Sequence, residues 1–251
     1  NTAGTELIPW VADSIKGNDD GSVWTMGLRK GMKWSDGAPF TADDFIFESV
    51  DVWGNDDVKP GKTAWWRGPG PTPVVVSKVD DTTVKFTYPG SYWIFPKKML
   101  FACTGRSMPY APKHHLSQFH AEFNPDADKL AKDAGFDSWA AYYLNREDFR
   151  DNVDRPSTRP WLFRNTRGDP TIIFERNPFF FVVDPEGNQL PYIDRIRLGL
   201  VETPDVLQLK AIQGEVDFQG RHMQLPAYPL LKENEDKGGY TMKLINTFGG
   251  A

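Results

Sequence analysis

Hydrophobicity in this chain comes in short parcels. Apolar runs such as Met99–Cys103 and Phe179–Val183 are five residues each, and glycine (22) and proline (20) punctuate the 251 residues throughout. A membrane-spanning helix needs about 20 consecutive apolar residues, so no segment qualifies. Such a chain must fold as many short strands and helices joined by turns.

The first such parcel is Ser22–Leu28, where Trp24, Met26 and Leu28 alternate with Thr25 and Gly27, the pattern of a half-buried strand after the turn Asn18–Gly21. A second turn, Ser35-Asp36-Gly37, leads to Thr41, a good helix cap, with Asp43 and Asp44 placed to answer the helix dipole. The set Phe45, Ile46, Ser49, Val50 and Trp53 predicts one apolar face of a helix from Ala42 to Val52. Residues 54–73 form a Gly/Pro-rich loop around Trp65-Trp66-Arg67. After it, Val74–Val79 and Thr83–Tyr88 read as a hairpin turning at Asp80-Asp81. Two helices are expected within residues 112–150, one over Asp126–Ala134 stopped by Gly135, the other capped by Ser138.

The stretch Asp154–Pro160 breaks the composition and is the preferred boundary, giving subdomains 1–155 and 156–251. Beyond it come strands at Thr171–Glu175 and Ile193–Val201, with a turn at Asp184–Asn188 between them. In the second strand Ile196, Leu198 and Leu200 share a face opposite Arg195 and Arg197. Thr203-Pro204-Asp205 then opens a helix ending at Gly214. A strand at Glu215–Phe218, a helix at Tyr228–Lys237 and a strand at Tyr240–Asn246 complete the expected βαβ alternation of an α/β fold.

The formal charge of −5, without a basic block, leaves no footprint for nucleic acid or anionic lipid. The single cysteine, Cys103, excludes an internal disulfide and any CxxC site, and its apolar surroundings suit an inert buried thiol. Nine tryptophans are an unusual number for this length. Their flat faces suit stacking on sugars and equally the building of an aromatic core.

Catalytic motifs are missing. There is no Walker-type phosphate loop, GxGxxG, HExxH or GxSxG, and Gly105–Pro109 lacks the second glycine of a nucleophile elbow. His114, His115 and His120 do not share a helical face, since His120 lies roughly 240° and 140° around the axis from the other two. A surface or packing role is expected of them, and no metal. The pairs Asp19-Asp20, Asp43-Asp44, Asp56-Asp57 and Asp80-Asp81 raise the idea of a carboxylate-dependent glycosidase. Their positions at turns and helix starts point instead to backbone hydrogen bonding. Asp184–Asn188 lacks the later glutamate of a calcium loop. Trp65-Trp66-Arg67 could stack on a sugar ring or clamp a carboxylate, or fold back as a core for its own loop.

The run Trp24–Ser49 resembles the signature of family 5 extracellular solute-binding proteins, the receptors of ABC importers. The resemblance rests on Leu28-Arg29-Lys30-Gly31, Trp34-Ser35-Asp36-Gly37 and Pro39-Phe40-Thr41-Ala42-Asp43-Asp44. Pro9–Ser14, Val76–Tyr88, Phe174–Pro178 and Leu209–Phe218 are similar to further family segments in the right order, and Asp184–Ile196 resembles an insert of larger, sugar-associated members.

This resemblance implies an α/β fold of the type II periplasmic-binding-protein kind, and only lobe one of it: a mixed sheet with helices plus a smaller α+β subdomain. The second lobe is expected to be missing, so the piece carries one wall of the ligand cleft. It implies capture of an extracytoplasmic solute by closure between lobes, without enzymatic chemistry or a cofactor. An oligosaccharide is favoured and an oligopeptide is the alternative. The expected partners are that solute and the ABC permease subunits, with no nucleic acid, and the expected state is a monomer. The expected location is periplasmic or extracellular, with a lipid anchor through an absent N-terminus as an open option. The segment after Leu209–Phe218 nominates Gln219, Arg221 and His222 as ligand-binding residues, followed by Asn246 and Phe248. Trp65 and Trp66 are nominated on their chemistry alone. Arg29, Asp36, Asp43 and Asp44 are expected to serve turns and caps.

Overall fold

The structure, a computed structural model, describes residues 10–59, 68–97 and 109–244. Trp65, Trp66, Cys103, Gly105, Asn246 and Phe248 therefore lie outside the described residues, as do residues 60–67 of the loop expected around Trp65.

Residues up to Arg197 form one compact unit and those from Leu198 onward a second. The first holds a four-stranded sheet in the order β1-β2-β4-β3, built from β1 (Ala12–Gly17), β2 (Val23–Leu28), β3 (Val75–Asp80) and β4 (Thr83–Thr87). All three pairings are antiparallel, with Trp24 opposite Phe86 and Met26 opposite Val84. The alternation read in β2 is real, for Trp24, Met26 and Leu28 are buried. They join Trp34, Phe40, Phe45, Phe86 and Tyr110 in one core.

Helix α1 (Ala42–Ile46) starts as anticipated. Thr41 accepts from the Asp43 N–H, and Asp44 reaches back to the Thr41 N–H, completing a capping box. The helix then widens into a π-turn, Phe47–Val52, in which the Trp53 N–H donates to the Glu48 carbonyl five residues back at 2.9 Å. The extra residue per turn rotates the apolar face expected over Ala42–Val52. Phe47 and Glu48 turn inward, while Val50 is 41% exposed.

After α2 (Lys113–Leu116) come α3 (Ala127–Asp133) and α4 (Trp139–Glu147). Gly135 has φ +84° beyond the end of α3, and the Ser138 hydroxyl caps α4 by accepting from Ala141, both at the positions read from sequence. A strap, residues 154–160, runs on to a three-stranded sheet of β5 (Trp161–Phe163), β6 (Thr171–Arg176) and β7 (Arg195–Gly199). The short strand β5 is new. It exists through its antiparallel ladder to β6, information that its three residues do not carry.

In the second unit, Thr203 caps α5 (Pro204–Ile212), and Gly214, at φ +76°, ends it as expected. The single helix expected at Tyr228–Lys237 is broken into α6 (Tyr228–Glu233) and α7 (Glu235–Gly238), which pack on α5 around Leu207, Ala211 and Leu231. Strands are not formed at Glu215–Phe218 or over the described part of Tyr240–Asn246. A strand needs a ladder partner, and neither segment has one among the described residues. The expected βαβ alternation is thus absent there, although the mixed α/β character holds.

Candidate functional site

The charged and polar features read from sequence separate into two kinds, those spent on holding the fold and those left facing outward. Members of three of the acidic pairs, Asp20, Asp43-Asp44 and Asp80-Asp81, belong to the first. Asp20 accepts from the Ser22 N–H and hydroxyl, and these bonds hold its carboxyl below the usual carboxylate range. Asp80 accepts from Thr82 and Thr83 in the hairpin turn, and Lys78 bridges Asp43 and Asp81 at 2.8 and 2.7 Å. Asp184 is closed into its own turn by Asn188 and by the Tyr192 hydroxyl.

Two of the clustered histidines, His114 and His120, are likewise committed. His114 pairs with Asp36 at 2.8 Å, and His120 is fully buried against Trp139 and Tyr143. The Glu122 N–H donates to His120 Nδ1, so Nε2 carries the proton and donates to the Asp51 carbonyl at 3.2 Å. Burial pushes the His120 pKa down and keeps the ring neutral. No group of three or more potential metal ligands occurs among the described residues.

Much of the tryptophan excess builds core. Trp24, Trp34 and Trp53 are buried, and each indole N–H finds an acceptor: the Gly21 carbonyl, Asp44 and Glu48. Trp10 and Trp93 are more than half exposed, the first against Phe180 and Phe181, the second edge-on to Trp24.

A cleft of about 220 Å³ opens beside the strap, with Asp36, Asp154, Trp161 and Arg164 among its lining residues. Three of its charges are already paired. Asp36 pairs with His114, Asp154 with Arg146 and Arg164 with Glu175, while the Trp161 indole donates to the Ile193 carbonyl. It is a structural seam with little left to offer a ligand.

The loop after α5 is of the second kind. Gln219 is half-buried, and its side-chain amide donates to the Arg221 carbonyl. Arg221 and His222 are exposed, so three of the nominated residues lie together in one turn. His222 has φ +62°, the only non-glycine in the left-handed region among the described residues. That backbone state disfavours a side chain, and such strain concentrates at sites of binding and switching. Phe218 precedes them and is 88% exposed. Sequence reasoning assigned Phe218 to a strand and so missed it. The signal lay in the run Phe218-Gln219-Gly220-Arg221-His222, where one aromatic ring is followed by an amide, a guanidinium and an imidazole. These are donor types that suit hydroxyls or a carboxylate, next in sequence to one flat face.

Comparison with known proteins gives this arrangement a context. Residues 6–248 match the family model described as bacterial extracellular solute-binding proteins, family 5 Middle. A periplasmic alpha-galactoside-binding protein of Rhizobium meliloti is 33% identical over 85% of this chain and 28% of its own length. The periplasmic oligopeptide-binding protein OppA of Escherichia coli is 36% identical over 90% of this chain and 37% of its own. Among solved structures, an oligopeptide-binding protein OppA matches with a TM-score of 0.86 at 39% identity, covering 95% of this chain and 37% of that one. The periplasmic binding protein MelB of Agrobacterium fabrum, in complex with stachyose, matches with a TM-score of 0.68 at 26% identity, covering 92% and 32%. The chain therefore spans about a third of the length of the relatives it matches, and its mixed α/β fold is part of theirs. The chain belongs to family 5 of the bacterial extracellular solute-binding proteins.

Proposed function

We propose that this chain supplies one wall of the solute cleft in the substrate-binding component of an ABC importer, and that the solute is an oligosaccharide. The observation that carries the reading is the pairing of an outward-facing, strained donor loop, Gln219–His222, with a relative named as an alpha-galactoside-binding protein along 85% of the chain. The stachyose complex of MelB points the same way. In this reading, solute binds to one lobe, a second lobe closes over it, and the closed form docks on permease subunits in the membrane. Closure excludes water, which turns a few amides, guanidinium groups and aromatic faces into strong orienting contacts. Gln219, Arg221 and His222 are the first such contacts, with Asn246 and Phe248 next along the chain. Trp65 and Trp66 are stacking faces, and Phe218 joins them.

The same reading makes the protein a receptor without chemistry on its solute, monomeric, and periplasmic or extracellular, with a lipid anchor as a further element. It places the meeting of its two subdomains at residues 155 and 156, within the strap that runs from α4 to β5.

A second reading, oligopeptide capture, draws on equally specific support, since the OppA structure matches with the higher TM-score. Isothermal titration of the intact protein against α-galactoside oligosaccharides and against short peptides of mixed sequence tests both. Saccharide binding without peptide binding is expected. Peptide binding alone would transfer the proposal to the second reading, and binding of neither would remove it.

A further inference from the structure

Glu48 is 1% exposed and sits on the π-turn that follows α1. One carboxyl oxygen, Oε1, accepts the Trp53 indole N–H. The other, Oε2, is closed off from solvent and has no hydrogen-bond partner among the described residues. Two cations lie near enough to act on this carboxyl, Lys59 and Arg155, and both are committed elsewhere. Lys59 pairs with Glu147 Oε2 at 2.9 Å, and the Arg155 guanidinium donates to the Pro156 carbonyl at 3.2 Å. From α4, the Tyr143 hydroxyl is buried and equally without a partner.

A carboxylate spreads its charge over both oxygens, and each calls for a donor. Glu48 meets that demand on one oxygen only. An ion stripped of water and left without a paired counter-charge is the costliest group to bury, and a group so placed takes up a proton instead. The neutral acid removes the charge, leaves Oε1 as acceptor for Trp53, and leaves only a hydroxyl to accommodate at Oε2.

We infer that Glu48 is a neutral carboxylic acid in the folded protein, protonated on Oε2, and that this proton is a latch on the seam between the π-turn, α4 and the strap. Loss of the proton to base in the bulk solvent leaves a carboxylate in a closed core, beside the Glu147 carboxylate. Hydrating that charge requires the seam to part. The strap on its far side carries direct bonds into both sheets' surroundings. The Ser157 N–H donates to the Ser35 hydroxyl at 3.0 Å, and Asn177, after β6, donates to the Ser157 and Arg159 carbonyls. A loosened seam therefore reaches the junction between the first sheet's core and the second sheet.

The groups that face Glu48 set the sign of the effect. Burial raises its pKa to about 8, and the Glu147 carboxylate adds to the rise, while Lys59, the Trp53 N–H and Arg155 oppose it. Burial also drives the Tyr143 hydroxyl well above its usual range, with Asp51 acting on it from the same π-turn, so Tyr143 stays uncharged. Below 4.5 the folded and unfolded chains both hold the Glu48 proton, and its contribution to stability is complete. Between 4.5 and about 8 only the folded chain holds it, so the contribution falls as pH rises through that window.

Infrared spectroscopy of the intact protein, isotopically labelled at its glutamate carboxyls, tests the proton directly. Near neutral pH the carbonyl stretch of a protonated glutamate is expected, and it should vanish in Glu48→Gln or Glu48→Leu, whichever folds. A wild-type spectrum without that band, or a band that persists in the folded variant, would overturn the assignment. Hydrogen exchange tests the latch. Referred to the intrinsic rate at each pH, exchange of the amides of residues 47–53 and 154–160 should rise about tenfold from pH 6.5 to 8 in the wild type. His120 and Asp51, the other shifted groups at this turn, titrate mainly below that range. A flat wild-type profile, or an equal rise in E48Q, would refute the latch.

Discussion

The Trp34 indole N–H donates to Asp44 Oδ2 at 3.1 Å, inside the core and ten residues along the chain. The same carboxylate accepts from the Thr41 N–H at 2.9 Å and, through Oδ1, from the Lys113 N–H at 3.1 Å. One side chain thus joins the Trp34–Gly37 turn, the capping box of α1 and the start of α2. Burial drives the Asp44 carboxyl upward, while these three donors pull it back.

Asp44→Ala should therefore cost about 3 kcal/mol, because three donors lose their acceptor and two lie in or near the core. Asp44→Asn keeps one acceptor oxygen and should cost less. Urea unfolding of both variants measures the difference. A loss below 1 kcal/mol for D44A would mean that water replaces the carboxylate, and that the joint is less closed than its burial indicates.

Much of this local chemistry is legible from sequence. Thr41 with Asp44, Ser138, Thr203-Pro204 and the glycines at 135 and 214 all act within a few residues of themselves, and each does in the structure what its neighbours imply. The π-turn is different. It accompanies the inward packing of Phe47 against Tyr143, and nothing in residues 42–53 announces that distant contact. Strand β5 depends on β6 in the same way, and the strand expected at Glu215–Phe218 fails for lack of such a partner. Of the candidate site, the sequence offers Gln219, Arg221 and His222 as neighbouring polar groups, whereas the exposure of Phe218 and the strain at His222 are properties of three-dimensional placement.

Gly21 illustrates a constraint that sequence marks only as a turn. At φ +71° a Cβ there would meet the Trp93 indole at 2.6 Å, so backbone and packing exclude a side chain together. Gly21→Ala should destabilise by more than the ~1 kcal/mol that left-handed backbone alone imposes. In a Trp93→Ala background the same substitution should return to about that value. A double-mutant cycle with no coupling would show that the two residues are independent.

Acid should weaken the fold through His120. Its pKa is depressed, by burial first, while the Asp51 carbonyl and Glu122 act the other way. The unfolded chain therefore takes up a proton below 6.5 that the native state resists, and stability falls with pH in that range. Replacing His120 by Gln should reduce the slope of stability against pH below 6.5, measured by chemical denaturation at fixed salt. Glu48 acts in the opposite sense: burial raises its pKa to about 8, so its contribution falls as pH rises from 4.5 to about 8. A Glu48→Gln variant separates it from that of His120. An H120Q slope equal to the wild type would remove His120 from the account.

Stacking by Trp65 or Trp66 should appear in saccharide affinity. Replacing either by Ala in the intact protein should weaken binding of an α-galactoside oligosaccharide by about 1 kcal/mol, the scale of an aromatic-face contact. Calorimetry giving wild-type affinity for both variants would leave the two indoles to the packing of their own loop.

His222 separates binding from stability most cleanly. At φ +62° any residue with a Cβ is strained by roughly 1–2 kcal/mol, and glycine is not. His222→Gly should accordingly be more stable than His222→Ala by about 1 kcal/mol, since both lose the imidazole and only the alanine retains the strain. If the imidazole meets solute, both variants should lose affinity alike, so the more stable one binds no better than the less stable. Arg221→Ala should add a further loss of about 1.5–3 kcal/mol where the guanidinium makes a charge-assisted hydrogen bond to the solute. Stability by thermal unfolding and affinity by titration calorimetry, measured on the same three proteins, decide the matter. Full affinity in H222G would reduce His222 to a turn residue whose strain serves no ligand.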